Sequence, residues 1–297
     1  MSFKKVALYG PRDWAIGSIN YSLSQNLKEY DVYFLAWDDP NSNHRILSNE
    51  FDIVFSEAYI MSVIPDIDQS KTKVIPIFHH NPIDLFGHGH FDNDYSGVID
   101  NFEVFGINKF ICKSVEKRYG KKCSLLPIGV DFDFWSTKRK ITAINRLGSV
   151  TKPKFLHEGW SNSEAYMKTK GYDLFDSIVN GSGLERSHLF GKTFFSGSYI
   201  YKDADMVICT SSSEGNPMSL LECAASRIPF ISTNVGIVGE FNSVKTFSTP
   251  EEAVSIINSF CTEQKIESYV EEVYQDVFKS RSWDKVVAKF YKPLIEK

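Results

Sequence analysis

Residues 203–240 read DADMVICTSSSEGNPMSLLECAASRIPFISTNVGIVGE. The apolar run Met206–Cys209 is short enough to be a buried strand. A polar turn follows, from Thr210 to Asn216. Pro217 suits the first turn of a helix, where its missing N–H costs nothing. Met218, Leu220, Leu221, Ala224 and Ala225 give that helix an apolar face. Arg227 closes it, and Pro229–Ser232 reads as the next buried strand. Strand, polar turn, helix and strand form the unit that sets ligands at the carboxyl edge of a parallel sheet.

Two carboxylates bracket the helix start. Glu214 lies in the turn, and Glu222 follows eight positions later, about two helical turns along the chain. Between them, Gly215, Asn216, Pro217, Met218 and Ser219 form the helix entry. Unpaired backbone donors and the helix dipole attract phosphate to such an entry. A phosphate there and a carboxylate further along would grip a nucleotide, with Glu222 taking ribose hydroxyls. The same spacing also fits Glu214 as a capping residue and Glu222 as a solvated helix carboxylate.

EGNPMSLLE, with the small-residue helix and RIPFISTNVGIVGE after it, resembles the signature of the retaining GT-B glycosyltransferases, the glycosyl transferases group 1 family. The matching features are two glutamates separated by seven residues, a Gly after the first and Leu-Leu before the second. Gly236 and Gly239 stand where the family has a glycine-rich turn. The resemblance implies an α/β fold of two Rossmann-like domains with parallel sheets, facing across a cleft. It implies a hexosyl- or pentosyltransferase that moves a sugar, with retention, from a UDP- or GDP-linked donor to an acceptor hydroxyl. Neither cofactor nor metal is implied. Glu214 would contact the transferred sugar, Glu222 the donor ribose, and the Gly215–Ser219 amides the diphosphate and sugar.

Upstream, Lys4–Tyr9, Asp31–Trp37, Phe51–Phe55 and Lys73–Phe78 are short apolar runs fit for a parallel sheet covered on both faces. The first is followed by a loop, Gly10–Trp14, and a helix from about Ile16 to Tyr30. That loop is no G-x-G-x-x-G fingerprint. In the resembled family it lies over the donor or acceptor, which makes Arg12, Gly17 and Ser18 candidates. After the fourth run comes HHNPIDLFGHGHFDND, with His79, His80, His88 and His90 close to Asp84, Asp92 and Asp94. No pair has the H-x3-H spacing of helical zinc ligands, and no metal is assigned. His80, in His-Asn-Pro, matches the family's histidine at the carboxyl edge of this sheet and is the second catalytic candidate. His79 is the fallback.

Lys109–Lys113 is read as a further strand, with a basic helix of about two turns from Ser114. Cys123–Asp131, CSLLPIGVD, resembles the family's strand and Pro-Asn-Gly-Val-Asp turn, with Ile128 in place of Asn. Gly129 is expected to supply a backbone conformation costly for other residues, and Asp131 to hold the turn. Lys154–His157 is expected to open the second domain as a strand. Gly159-Trp160 stands where the family has Gly-Arg, whose arginine binds the diphosphate. Lys170, in a Lys-Gly-x-x-x-Leu helix start, is then the phosphate ligand; Arg12, Lys152 and Lys154 are alternative cations. Asp203 and Asp205 form a D-x-D, but their place just before a buried strand argues against metal binding. Glu251–Phe260, Lys265–Lys279 and Trp283–Ile295 read as helices.

The expected organisation is an acceptor-side Rossmann-like domain over 1–135, a linker over 136–152 and a donor-binding domain over 153–280. Residues 281–297 are a C-terminal helix crossing back to the first domain. With 297 residues, 42% hydrophobic, and 33 Lys+Arg against 37 Asp+Glu, the chain is globular. There is no run of about 18 apolar residues, as a membrane span requires, and no signal-peptide pattern. Five scattered cysteines fit a reducing compartment, so a cytoplasmic location is expected, peripheral to a membrane at most. From Lys109 to Lys154, twelve Lys and Arg face three acidic residues. Such a zone attracts anionic partners. The acceptor is expected to be a glycan or lipid-linked glycan at a membrane surface. The alternatives are a hydroxylated base in nucleic acid, or a noncatalytic sugar-nucleotide-binding scaffold.

Overall fold

The computed structural model describes residues 3–11, 15–61, 67–79, 95–137, 139–149, 164–189 and 201–297. The strands that begin the chain are β1 (Lys5–Gly10), β2 (Asp31–Ala36), β3 (Ile53–Glu57) and β4 (Lys73–Phe78). Helices α1 (Ala15–Asn26), α2 (Pro40–Leu47) and α3 (Ala58–Met61) lie among them. Next come α4 (Ser96–Asn101), β5 (Val104–Gly106), α5 (Lys109–Tyr119) and β6 (Cys123–Leu125). These strands form one parallel sheet in the order β2-β1-β3-β4-β5-β6. Val6, Ala7, Leu8 and Val54 are fully buried, as strands covered on both faces should be. The order reverses between β1 and β3, so the carboxyl ends Gly10 and Glu57 flank the switch point, where open α/β sheets bind ligands.

The stretch Lys109–Lys113 is helical, not a strand. The side chain of Asn108 accepts from Ile111 N at 2.8 Å and caps the helix, and Gly120 at φ +70° ends it. Ile111, Cys112 and Val115 are buried on one helix face, so the apolar pair that suggests a strand belongs to a 3.6-residue period. The neighbouring strand is the shorter β5.

The second set of elements starts with α6 (Phe132–Trp135) and β7 (Arg146–Ser149), then α7 (Glu164–Thr169), α8 (Tyr172–Ser182) and β8 (Glu185–His188). β9 (Met206–Cys209), α9 (Met218–Ser226), β10 (Phe230–Ser232), α10 (Pro250–Ser259) and α11 (Glu263–Arg281) follow. Their strands form a parallel sheet in the order β10-β9-β7-β8. β7 falls within the stretch expected as a linker. Its start is fixed by Asp205, whose carboxylate accepts from Asn145 N and Arg146 N, each at 3.0 Å, and pairs with Arg139. Asp205 is therefore committed to structure. Lys152, Lys154–His157 and Gly159-Trp160 lie outside the described residues.

The described residues of 3–129 and Trp283–Lys297 make one compact unit, and those of Val130–Ser282 the other. The chain passes between them twice, and the passages adjoin: Val130 N donates to Arg281 O at 2.8 Å. Asp131 caps α6, accepting from Asp133 N at 3.0 Å and Phe134 N at 2.9 Å. Gly129 does not take a positive φ. It is glycine because a Cβ there would lie 2.6 Å from the Trp283 ring. Past Trp283 run α12 (Trp283–Val286), a π-turn at Val287–Tyr291 and α13 (Lys292–Glu296). Lys73 Nζ donates to Leu294 O at 2.8 Å, and Phe55 meets Tyr291 at 5.3 Å between ring centres. No helix among the described residues is long and apolar enough to cross a membrane.

Candidate active site

In the second unit the strand order reverses between β7 and β9. The turn after β9 therefore emerges where parallel sheets receive ligands. Thr210 to Pro217 form this turn, and α9 starts at Met218. Pro217 is the N-cap rather than a first-turn residue, one step earlier than the sequence suggests. Leu220, Leu221, Cys223 and Ala224 are buried, which fixes the helix against the sheet and leaves its N-terminus at the turn.

A second turn is stitched onto the first. Ser212 N donates to Thr169 O at 2.7 Å, and Thr210 Oγ1 donates to Lys170 O at 3.0 Å. Gly171 sits at φ +65°, and a Cβ there would lie 1.9 Å from Thr210 O. Only glycine allows this conformation and this approach together. The outcome is that Lys170 reaches Glu214: Nζ lies 2.6 Å from Oε1, with side chains only 22% and 16% exposed. Ser211 Oγ donates to the same oxygen at 2.7 Å.

A third turn closes the cluster. Thr233 Oγ1 donates to Ser211 O at 2.5 Å. Gly236 sits at φ +56°, and a Cβ there would be 2.8 Å from Gly215 O and 3.0 Å from Glu214 O. The backbone of Glu214-Gly215 is thus packed from both sides. Glu214, Gly215 and Asn216 remain half-buried. Asn216 Nδ2 contacts Met218 Sδ at 3.3 Å. Among the described residues, Asn216 Oδ1 and Ser219 Oγ are buried without a hydrogen-bond partner. Buried polar atoms are nearly always paired, so two unpartnered ones at one helix entry call for an explanation.

Glu222 is half-buried, one turn further along α9. Its carboxylate accepts from the hydroxyl of Tyr201. Burial pushes the carboxyl up to about 7, while the Tyr201 hydrogen bond holds it down. Tyr201 is 1% exposed, and burial first, then the Glu222 charge, raise its pKa well above the usual value. Glu222 is therefore neither a freely solvated carboxylate nor a committed anion at neutral pH.

The structure brings Lys170, Glu214, Gly215, Asn216, Pro217, Met218, Ser219 and Glu222 into one cluster at the carboxyl edge of the second sheet. Gly17 is buried in α1 of the first unit. Arg12 and His80 lie outside the described residues, and His79 is buried at the end of β4. Tyr201, Ser211 and Thr233 are additions that sequence reasoning missed. Among the described residues no group of three or more His, Cys, Asp and Glu could hold a metal ion.

Residues 193–272 match the profile of the family described as glycosyl transferases group 1. The match spans β9, the turn, α9 and β10, and it marks the chain as a glycosyltransferase. No curated protein matches the chain. Among solved structures, Anabaena Alr3699/HepE in complex with UDP and glucose shares 11% identity at a TM-score of 0.73, covering 99% of this chain and 100% of that one. Sucrose-phosphate synthase from Thermosynechococcus elongatus gives 9% and 0.67, with 99% of each chain covered. The catalytic domain of starch synthase IV from Arabidopsis thaliana, bound to ADP and acarbose, gives 10% and 0.65, with 100% of each covered. At these identities the similarity establishes the fold, which is the GT-B fold of parallel α/β units.

Proposed function

We propose that this chain transfers a sugar from a nucleoside diphosphate sugar to an acceptor hydroxyl, with retention at the anomeric carbon. The observation that carries the proposal is the cluster at the entry of α9. A cation, Lys170, stands beside helix-terminal donors, a buried orphan hydroxyl at Ser219, and Glu222 one turn on. Each group has a task in donor binding. Glu222 accepts from the ribose hydroxyls. The α9 entry amides and Lys170 meet the diphosphate, whose charge grows as the glycosidic bond breaks; fixed donors aimed at developing charge are the main source of such catalysis. Glu214 orients the transferred sugar and holds Lys170 until a donor arrives. His80 is kept as the first unit's contribution at the donor sugar, and Arg12 and Gly17 as donor-side contacts.

The solved relatives hold UDP with glucose, or ADP, which supports a nucleoside diphosphate donor here. The acceptor we favour is a glycan or lipid-linked glycan. The case for nucleic acid rested on one basic zone over 109–154. In the structure that zone is divided: Arg139 pairs with Asp205, and Lys140 with Glu263 and Glu267, in the second unit. The test is turnover of a panel of UDP-, GDP- and ADP-sugars, with product configuration read by proton NMR. One donor is expected to turn over with an unchanged anomer, and Glu222→Ala to raise its KM strongly. An inverted anomer would overturn the retention part alone; no turnover by any donor would overturn the whole.

A further inference from the structure

The first unit carries an aromatic pair at the carboxyl edge of its sheet that the donor chemistry does not use. β2, β1 and β3 are neighbours there. The chain leaves β2 through Trp37, whose backbone N–H donates to Gly10 O at 3.3 Å and so sits at the end of β1. Tyr59 follows β3 by two residues. Its ring meets the Trp37 indole edge-on, 6.5 Å between centres and 65° between planes, an attractive arrangement for two aromatic rings. The rings therefore meet across the end of β1, beside the switch point where open α/β sheets bind ligands. Trp37 is nevertheless 39% exposed, whereas Trp135 and Trp283 are 2% and 3% exposed. Polar groups of one sign surround it. Asp38 is exposed, and its charge, after burial, helps push the Tyr9 hydroxyl up to about 12. Asn43 accepts from that hydroxyl and turns its Nδ2 to Trp37 O at 3.4 Å. The stretch 37–44, WDDPNSNH, holds two Asp and no Lys or Arg.

We propose that Trp37 is the platform for an uncharged sugar residue of the acceptor, which lays its C–H face on the indole while Asp38 takes its hydroxyls. Naming this ligand the acceptor rests on the sugar transfer proposed above, and it narrows that acceptor to a glycan whose docked residue bears no phosphate. The indole supplies a broad apolar face with an N–H at its edge, which suits a pyranose, apolar on its C–H face and polar at its rim. A carboxylate is the stronger acceptor for the sugar hydroxyls. The same charge selects against other ligands of an aromatic face. A phosphate beside Asp38 meets like charge at short range, and single-stranded nucleic acid is bound by rings set in a positive groove.

The experiment is saturation-transfer NMR of the full chain with methyl glucoside, methyl galactoside, methyl mannoside, N-acetylglucosamine and glucose 6-phosphate. What is read is the part of each signal that Trp37→Ala removes, so that contacts elsewhere on the chain do not count. At least one uncharged sugar is expected to show such a part on its ring C–H protons, with affinity about tenfold above that of glucose 6-phosphate. Trp37→Phe, which keeps a smaller ring, should retain some of it. Asp38→Lys should weaken the uncharged sugar several-fold and bring glucose 6-phosphate level with it. If Trp37→Ala melts early, Trp37→Leu, apolar without a ring face, takes its place. A Trp37-dependent signal absent from all the uncharged sugars, or as strong with glucose 6-phosphate on the wild type, would overturn the proposal. So would Trp37-dependent capture of a single-stranded oligonucleotide with no such signal from any sugar. Melting-temperature shifts with UDP, GDP and ADP on the same preparations separate this result from the donor reading. A nucleotide shift without sugar contact at Trp37 sinks the platform alone, and sugar contact without any nucleotide shift sinks the donor site alone.

Discussion

Lys170 and Glu214 hold one another at 2.6 Å in the free protein. Under the proposed function the donor diphosphate displaces Glu214 from the ammonium, which makes Lys170 available only when substrate is in place. Lys170→Ala should then lower kcat/KM by about 10²–10³-fold, the usual loss when one preorganised charge partner is removed. Glu222 carries a pH prediction. Its carboxyl is raised to about 7, so it is mostly protonated below that pH and ionised above it. A carboxylate accepts ribose hydroxyls more strongly than a neutral acid. Donor affinity, followed by calorimetry, should rise about tenfold from pH 6 to pH 8, and Glu222→Gln should flatten that rise. Tyr201→Phe removes the hydrogen bond that holds the carboxyl down, so its midpoint should move to higher pH. A role for Tyr201 in packing alone would leave the midpoint in place. Glu214 and Glu222 stand out in the sequence because the seven-residue gap between them is local; Lys170, 44 positions before Glu214, is named there by the family resemblance alone. Tyr201 was not singled out in the sequence. Its link to Glu222 spans 21 residues and depends on how β9 and α9 fold back, which no spacing rule supplies.

Three turns, rather than three side chains, build the cluster. Gly171 and Gly236 set two of them, each at positive φ and each closer to neighbouring backbone than a Cβ permits. Gly171→Ala meets both a left-handed strain of about 1–2 kcal/mol and Thr210 O at 1.9 Å. It should lower stability in urea unfolding and weaken donor binding together, because the Lys170 turn must lift off Thr210. Gly183, also at φ +68° but with open space around its Cβ position, is the control: Gly183→Ala should cost about 1 kcal/mol in stability and leave donor binding unchanged. The strands β1, β2, β4 and β9 were readable as apolar runs bounded by polar turns. The start of α5, Lys109–Lys113, reads as a strand because Phe110, Ile111 and Cys112 are adjacent and such a run has no period; the helix expected from Ser114 is the rest of α5. The deciding signal was Asn108, a capping residue three positions before Ile111, which outranks a short apolar run. Gly129 shows the converse: its identity looked like a backbone requirement and is a packing requirement set by Trp283, 154 positions away in sequence.

At the scale of the molecule, two parallel α/β units share one chain that passes between them twice. Alternating strands and helices made the parallel sheets legible. The strand orders were not, since they depend on crossovers. In the first unit, the switch-point residue Glu57 is 6% exposed, and burial pushes its carboxyl up to about 8. The folded state thus holds this proton more tightly than the unfolded chain does. Its contribution to stability is complete below about pH 4.5 and is lost steadily as pH rises to about 8. Glu57→Gln, which stays neutral, should unfold at higher urea than the wild type at pH 8, by about 1–3 kcal/mol, with the difference shrinking toward pH 5. The central claim is a nucleoside diphosphate sugar bound at the entry of α9. Its most direct test is the melting temperature of the wild type, Lys170→Ala and Glu222→Ala, each with UDP, GDP or ADP at saturating concentration. A nucleotide at 100 times its dissociation constant stabilises a protein by about 2.7 kcal/mol. One of the three is predicted to raise the wild-type melting temperature clearly and both variants little or not at all. A shift of equal size in all three proteins, or no shift in the wild type with any nucleotide, would contradict the account.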